Sequence, residues 1–171
     1  MLDDAKFRIL PELLKDQKEN GLWITLRGEQ KNGGLYKWGD TQVENIGLHT
    51  FVIERLLEDW NHIPDVRTAV IKGLQAIVSN AVRAEEGLLW RWLKVPTRED
   101  YLYVPDYDDT ARAIASLLIG QKVFTQGEFI EVIPASDIYL FNACISNLAT
   151  LAEKDLCFLD SELQPNGKEG G

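Results

Sequence analysis

From Leu48 to Ala81 the chain reads LHTFVIERLLEDW, then NHIP, then DVRTAVIKGLQAIVSNA, and this stretch decides the fold class. Leu48, Val52, Leu56 and Trp60 recur every four residues in its first part, and Val66, Val70, Leu74, Ile77 and Ala81 form one stripe in its last. That recurrence is the period of an α-helix with one face turned to a core, and the alternation of a half-buried strand is absent from both parts. Asp65 is placed to cap the second helix, and a connection this short folds the two back on each other as a helical hairpin.

Outward from this hairpin the helical spacing continues. A first helix is expected from about Asp4 to Lys18, interrupted by Pro11, and the first arm of the hairpin extends back to about Val43. A further helix begins near Asp106 to Asp109 and ends at Gly120. A last one runs from about Ser136 to Glu153, with Ile138, Phe141, Ile145, Leu148 and Ala152 as its stripe. Between them lie Glu86 to Val104, rich in aromatic residues, and Gln121 to Ile133, in which Phe129 to Ile133 suits a short strand. Turns are marked at Asn20-Gly21 and Asn32-Gly33-Gly34. The chain is therefore all-α, built of helical hairpins.

With 171 residues and 45% apolar content, the chain can bury one sizeable core as one domain. A net charge of −9 and a pI near 4.7, with no clustered basic stripe, argue against nucleic acid and anionic headgroups as partners. Asp3 and Asp4 stand where a signal peptide carries basic residues, and no apolar run approaches a membrane span, so a cytoplasmic location is expected. Cys144 and Cys157 are too few for a disulfide framework, and Cys144 sits in an apolar helical pattern that suits a buried thiol. His49 and His62 are the only histidines; they lack metal-site spacing, and His49 reads as a core or boundary residue. Neither a phosphate-cradling glycine loop nor a serine-nucleophile elbow occurs.

The chemistry-bearing stretch is Asp106-Tyr107-Asp108-Asp109-Thr110-Ala111, with three carboxylates in four positions. Like charges this close do not all ionise cheaply, and desolvation adds to the penalty, so crowding favours one protonated carboxyl. A helix start accounts for the same residues differently, since Asp caps helices and suits the positive end of the dipole.

In its place before an apolar helix, Asp-x-Asp-Asp-Thr-Ala resembles the signature of protonation-initiated (class II) terpene cyclases, the squalene–hopene cyclase and copalyl-diphosphate synthase group. Gln17-Lys18-Glu19-Asn20-Gly21-Leu22-Trp23 is similar to the Gln-x-x-x-Gly-x-Trp repeat of triterpene cyclases, and Gln30 to Tyr36 is a weaker copy with Tyr36 in place of Trp. Pro134-Ala135-Ser136-Asp137-Ile138, followed by Asn142-Ala143, looks like the segment that follows the acidic motif in bacterial α-barrel relatives. The resemblance covers roughly residues 5 to 150 and is nearest to single-domain bacterial cyclases of the merosterolic acid synthase kind.

The resemblance implies an α/α (helical-hairpin) barrel of the terpene cyclase/prenyltransferase-like type, with residues 1–160 as a barrel half and 161–171 expected as a flexible Gly-rich tail or a truncated end. It implies Asp108 as the acid that protonates the terminal alkene or epoxide of a linear prenyl chain, including one attached to an aromatic acid. Asp106 and Asp109 would orient and reprotonate it, and Asn142 would hold its proton in the reactive direction. A carbocation needs a dry site rich in π-faces, for which Trp90, Trp92, Tyr101, Tyr103, Tyr107 and Phe141 are candidates, although core or rim packing is the commoner role for any single ring. No metal and no redox cofactor is implied, and magnesium would matter only for a substrate carrying diphosphate. Arg112, one turn beyond Asp108, would oppose the acid role if it turned toward that carboxylate.

A barrel of six hairpins needs about twice the helical content available, so a second polypeptide, a second copy or further chain is expected to complete it. Two other readings stay open. One is a non-catalytic helical-hairpin module binding a hydrophobic ligand or partner chain, with the acidic motif as a cap. The other is a prenyltransferase-like barrel subunit, which would require diphosphate release and zinc or magnesium.

Overall fold

A computed structural model describes the backbone of residues 2–23, 25–30, 36–43, 46–91, 105 and 107–163, and the side chains of 9–23, 46–91, 105 and 107–150. These residues are predominantly helical. The elements in chain order are α1 (Leu2–Lys15), β1 (Thr25–Gln30), β2 (Tyr36–Val43), α2 (Ile46–Trp60), α3 (Pro64–Ser79), β3 (Val82–Ala84), β4 (Gly87–Leu89), α4 (Tyr107–Val123), α5 (Gln126–Phe129) and α6 (Ile138–Leu163), the last entered through a single 3₁₀ turn at Ala135–Asp137.

The hairpin of α2 and α3 is the centre of the core. Val66, Val70, Leu74 and Ile77 of α3 are all fully buried, as their spacing predicts. Its start differs in detail: Pro64 occupies the first helical turn, Ile63 is the cap without a side-chain bond, and Asp65 is an acidic first-turn residue. On α2 the buried stripe is turned one position from the expected one. His49, Ile53, Leu56 and Leu57 face inward, while Leu48 is exposed and Val52 and Trp60 are half-buried. The shift follows from α2 packing against two neighbours, α3 and α4, so that its inward face is wider than one stripe.

Side-chain contacts fix the helix directions. Phe51 meets Arg112 and Glu54 meets Ser116, so α2 and α4 run parallel. Leu74 lies against Gly120, and Arg67 near the start of α3 covers Phe124 just past the end of α4, so α3 is antiparallel to α4. Helices α2 and α4 thus lie side by side and parallel.

Two antiparallel two-stranded sheets, β1–β2 and β3–β4, were not anticipated. In the first, Thr25 pairs with Val43 and Gln30 with Tyr36, with a register shift between Leu26 and Gly28. The Asn32-Gly33-Gly34 turn lies outside the described residues. In the second, Val82 pairs with Leu89 and Ala84 with Gly87. Gly87 has φ +130°, and a Cβ there would fall 2.7 Å from the Leu140 carbonyl oxygen, so the absence of a side chain lets this hairpin dock on α6. The short strand expected at Phe129 to Ile133 is instead the end of α5 and a turn. The cause is a capping box: the Thr125 hydroxyl accepts from the Glu128 amide while the Glu128 carboxylate accepts from the Thr125 amide at 2.8 Å.

Candidate functional site

The acidic motif opens α4, and the turn of 100° per residue separates its carboxylates. The Asp108 side chain is 79% exposed, whereas Asp109 is 3% exposed and packed inward. Asp106 lies outside the described residues. Both described carboxylates sit in the first helical turn, where the dipole favours negative charge. The crowding anticipated between Asp108 and Asp109 is relieved by the helix itself. Arg112 turns back toward Asp108, with Nε 3.6 Å from Oδ1, while its guanidinium lies 4.5 Å from the centre of the Phe51 ring.

One face of α4 therefore presents Asp108, Ala111 and Ala115 to solvent at i, i+3 and i+7. From the parallel α2, Leu48 and Phe51 add exposed apolar surface beside Arg112, and Tyr107 is 63% exposed at the head of the helix. The opposite face of α4 is core. Thr110 is fully buried and its hydroxyl accepts the Trp90 amide at 3.0 Å, which ties the segment before α4 to its first turn.

The aromatic candidates are divided by the fold. Trp90 is fully buried and its indole N–H donates to the Ile77 carbonyl at 2.7 Å, so as folded its ring has no face open to a ligand. Trp92, Tyr101 and Tyr103 lie outside the described residues. Phe141 and Asn142 do not approach Asp108. They line a groove of about 570 Å³ with Gln121, Phe129, Ile133 and Ile138 at the far end of α4. Gln121 is thirteen residues beyond Asp108, about 20 Å along the helix axis. Tyr139 is 78% exposed beside this groove.

The first Gln/Trp repeat closes into a compact clamp. The Gln17 side-chain amide donates to the carbonyls of Gly21 and Ala69, each at 2.8 Å, and the Trp23 indole N–H donates to the Leu13 carbonyl at 2.8 Å. Gly21 has φ +87° and presses against the Lys72 carbonyl, which leaves no room for a side chain. The Trp23 amide donates to His49 Nδ1 at 3.4 Å, and His49 Nε2 donates to the Gly73 carbonyl at 3.1 Å. Burial lowers the His49 pKa to about 4, and the Gly73 carbonyl opposes that shift. Of the second copy, residues 31–35 lie outside the described residues, and Gln30 and Tyr36 pair across β1 and β2.

Two ion pairs anchor the periphery. Arg67 binds both oxygens of Glu128 at 2.8 Å, which, with the Thr125 amide and hydroxyl, holds the Glu128 pKa down to about 2. Arg83 forks onto the buried Asp137, its Nε 3.1 Å from Oδ1, and this partner raises the Arg83 pKa. Sequence reading missed the Arg83–Asp137 pair, because fifty-four residues separate its members and only the β3–β4 hairpin brings them together. Cys144 is a buried free thiol whose pKa burial raises. Among the described residues no group of three or more His, Cys, Asp and Glu could hold a metal ion, and no helix is long and apolar enough to cross a membrane.

Comparison with models of protein families, with curated proteins and with solved structures finds no match to this chain.

Proposed function

We infer that the chain is the acid-bearing part of an α/α-barrel terpene cyclase that works by protonation, with Asp108 as the proton donor to a linear prenyl chain. The observation that carries this reading is the arrangement on α4: Asp108 heads a strip of small residues, Ala111 and Ala115, and the strip is open rather than packed into the fold. On the parallel neighbouring helix Phe51 and Leu48 are exposed, and Phe51 packs against Arg112, the residue after Ala111. The parallel packing of α2 and α4 is also compatible with the helix arrangement of such a barrel.

In this reading the Asp108 O–H bond breaks as a C–H bond forms at the distal alkene carbon, leaving a tertiary cation. Successive alkenes attack in turn, each forming a C–C bond, and loss of a proton at the end makes the product an isomer of the substrate. Asp106, two residues before Asp108 in sequence, would support return of the proton to it, whereas Asp109 is turned to the core. A second polypeptide, a second copy or further chain would cover the strip and exclude water, without which the cation is quenched.

A second reading has an observation of its own. The Arg112–Asp108 pair and the exposure of Asp108 suit a helix start on a binding module for a hydrophobic ligand or partner chain. The two readings separate in one experiment: incubation of the purified, intact assembly that contains this chain with farnesylated aromatic acids and linear prenyl alcohols, followed by mass spectrometry for isomeric products. The cyclase reading predicts a new isobaric product with wild type and a loss of at least about 100-fold in Asp108→Asn, in line with removal of a general acid. Equal product from both proteins removes Asp108 from this role. Ligand binding without product in both is the module's result.

A further inference from the structure

His49 is a buried residue that neither reading uses. Its ring is 1% exposed, bonded on one side to the turn that follows α1 and on the other to α3. Nδ1 accepts a backbone N–H while Nε2 donates to a backbone carbonyl, so both bonds exist together only in the neutral ring with its hydrogen on Nε2. The same ring lies 5.1 Å from the Trp23 indole, and Gly73 leaves the space in which Trp23 and Ile53 pack against α3.

We propose that His49 is a proton-operated latch: protonation at Nδ1 sets a donor against the Trp23 N–H donor, releases the turn from Gln17 to Trp23 and loosens α1 from the α2–α3 hairpin before the core unfolds. α1 is tied to that turn by the Trp23 indole bond to Leu13 and so loosens with it, and the bond of Gln17 to Ala69 is the further link to α3 that opening breaks.

The charged groups on the elements around the ring do not rescue its protonated form. On α1, Glu12 and Lys15 are exposed and pair with each other at 3.8 Å, and Asp16 after it is exposed. In the turn Lys18 is half-buried and Glu19 exposed; on α2 Glu54 is bonded to Ser116 on the α4 side; on α3 Lys72 is half-buried beside Gly73. The ring's lowered pKa comes from burial first, opposed by the Gly73 carbonyl, with no carboxylate contributing. The sign follows from linkage. Between an open-state pKa of 6.5 and a closed-state value of about 4, the open form takes up a proton that the closed form refuses, so the latch is fully closed above pH 6.5 and weakens as pH falls. The closing equilibrium drops on the order of 100-fold across that window.

The test is amide hydrogen exchange on the full chain between pH 7 and pH 4.5, corrected for intrinsic rates, together with ring ¹⁵N shifts of His49. The expected result is that amides 18–23 lose protection while α3 keeps it, that this loss disappears in His49→Gln, and that the wild-type ring stays in its Nε2–H form down to about pH 5. Loss of protection in the turn and α3 together, the same pH dependence in His49→Gln, or a ring titrating near 6.5 overturns the latch. The ring titration needs only wild type, so a variant that fails to fold leaves the test intact.

Discussion

Single residues set the energetics of both the clamp and the candidate acid. Gly21 stands at φ +87° against the Lys72 backbone, so Gly21→Ala should cost at least about 2 kcal/mol of stability, from left-handed strain plus the clash, read as a lower urea midpoint with unchanged slope. Arg112 is the residue that separates the two functional readings. If Asp108 is a proton donor, removing the guanidinium that contacts it in Arg112→Gln frees it for substrate and raises turnover by up to about fivefold, the scale of an exposed ion pair. Lower turnover without a change in KM would mean that the guanidinium assists the reaction. The sequence made the acidic triplet visible but not its geometry. Asp108 and Asp109 are adjacent in the chain, yet the helix sends one to solvent and the other to the core. Trp90 shows the same limit: an aromatic near an acidic motif looks like a site residue until its indole N–H is found bonded to Ile77 in the core.

At the scale of elements, periodicity located the helices and misjudged what lies between them. The α3 stripe was legible because it packs as one continuous face, whereas the α2 stripe was one position out because α2 serves two partners. The β1–β2 hairpin escaped notice because TLRGEQ and YKWGDTQV carry glycines and charges in place of strict alternation, and pairing across the hairpin defines them as strands. The capping box at α5 overrode the β-branched run that follows it. Thr125→Ala should cost about 1 kcal/mol and unwind this short turn, visible as a lower melting temperature. Glu128 adds an acid dependence. Its folded pKa of about 2 lies below the unfolded 4.5, so the Arg67–Glu128 contribution is complete above pH 4.5 and is lost as pH falls toward 2. Arg67→Met should flatten that part of the acid-denaturation curve, and an unchanged curve would show that the pair contributes nothing.

For the whole molecule, the open strip on α2 and α4 is the feature with the largest consequence. An exposed run of Leu48, Phe51, Ala111 and Ala115 beside an acid is poorly suited to water and well suited to a covering surface. Sedimentation of the purified chain should therefore give a concentration-dependent mass above 19.4 kDa, reduced in Phe51→Ser, while a strictly monomeric wild type would show that the strip does not drive self-association. The groove between α4, α5 and α6 lies about 20 Å from Asp108, so Asn142→Ala should leave any Asp108-dependent turnover unchanged within about twofold. The most direct test of the central claim is the reaction run in D₂O with a linear prenyl substrate. Protonation by Asp108, which exchanges with solvent, predicts a cyclic product one mass unit heavier, with deuterium at the carbon that began as the terminal alkene, and none from Asp108→Asn. A cyclic product without solvent deuterium, or the same labelled product from Asp108→Asn, would contradict it.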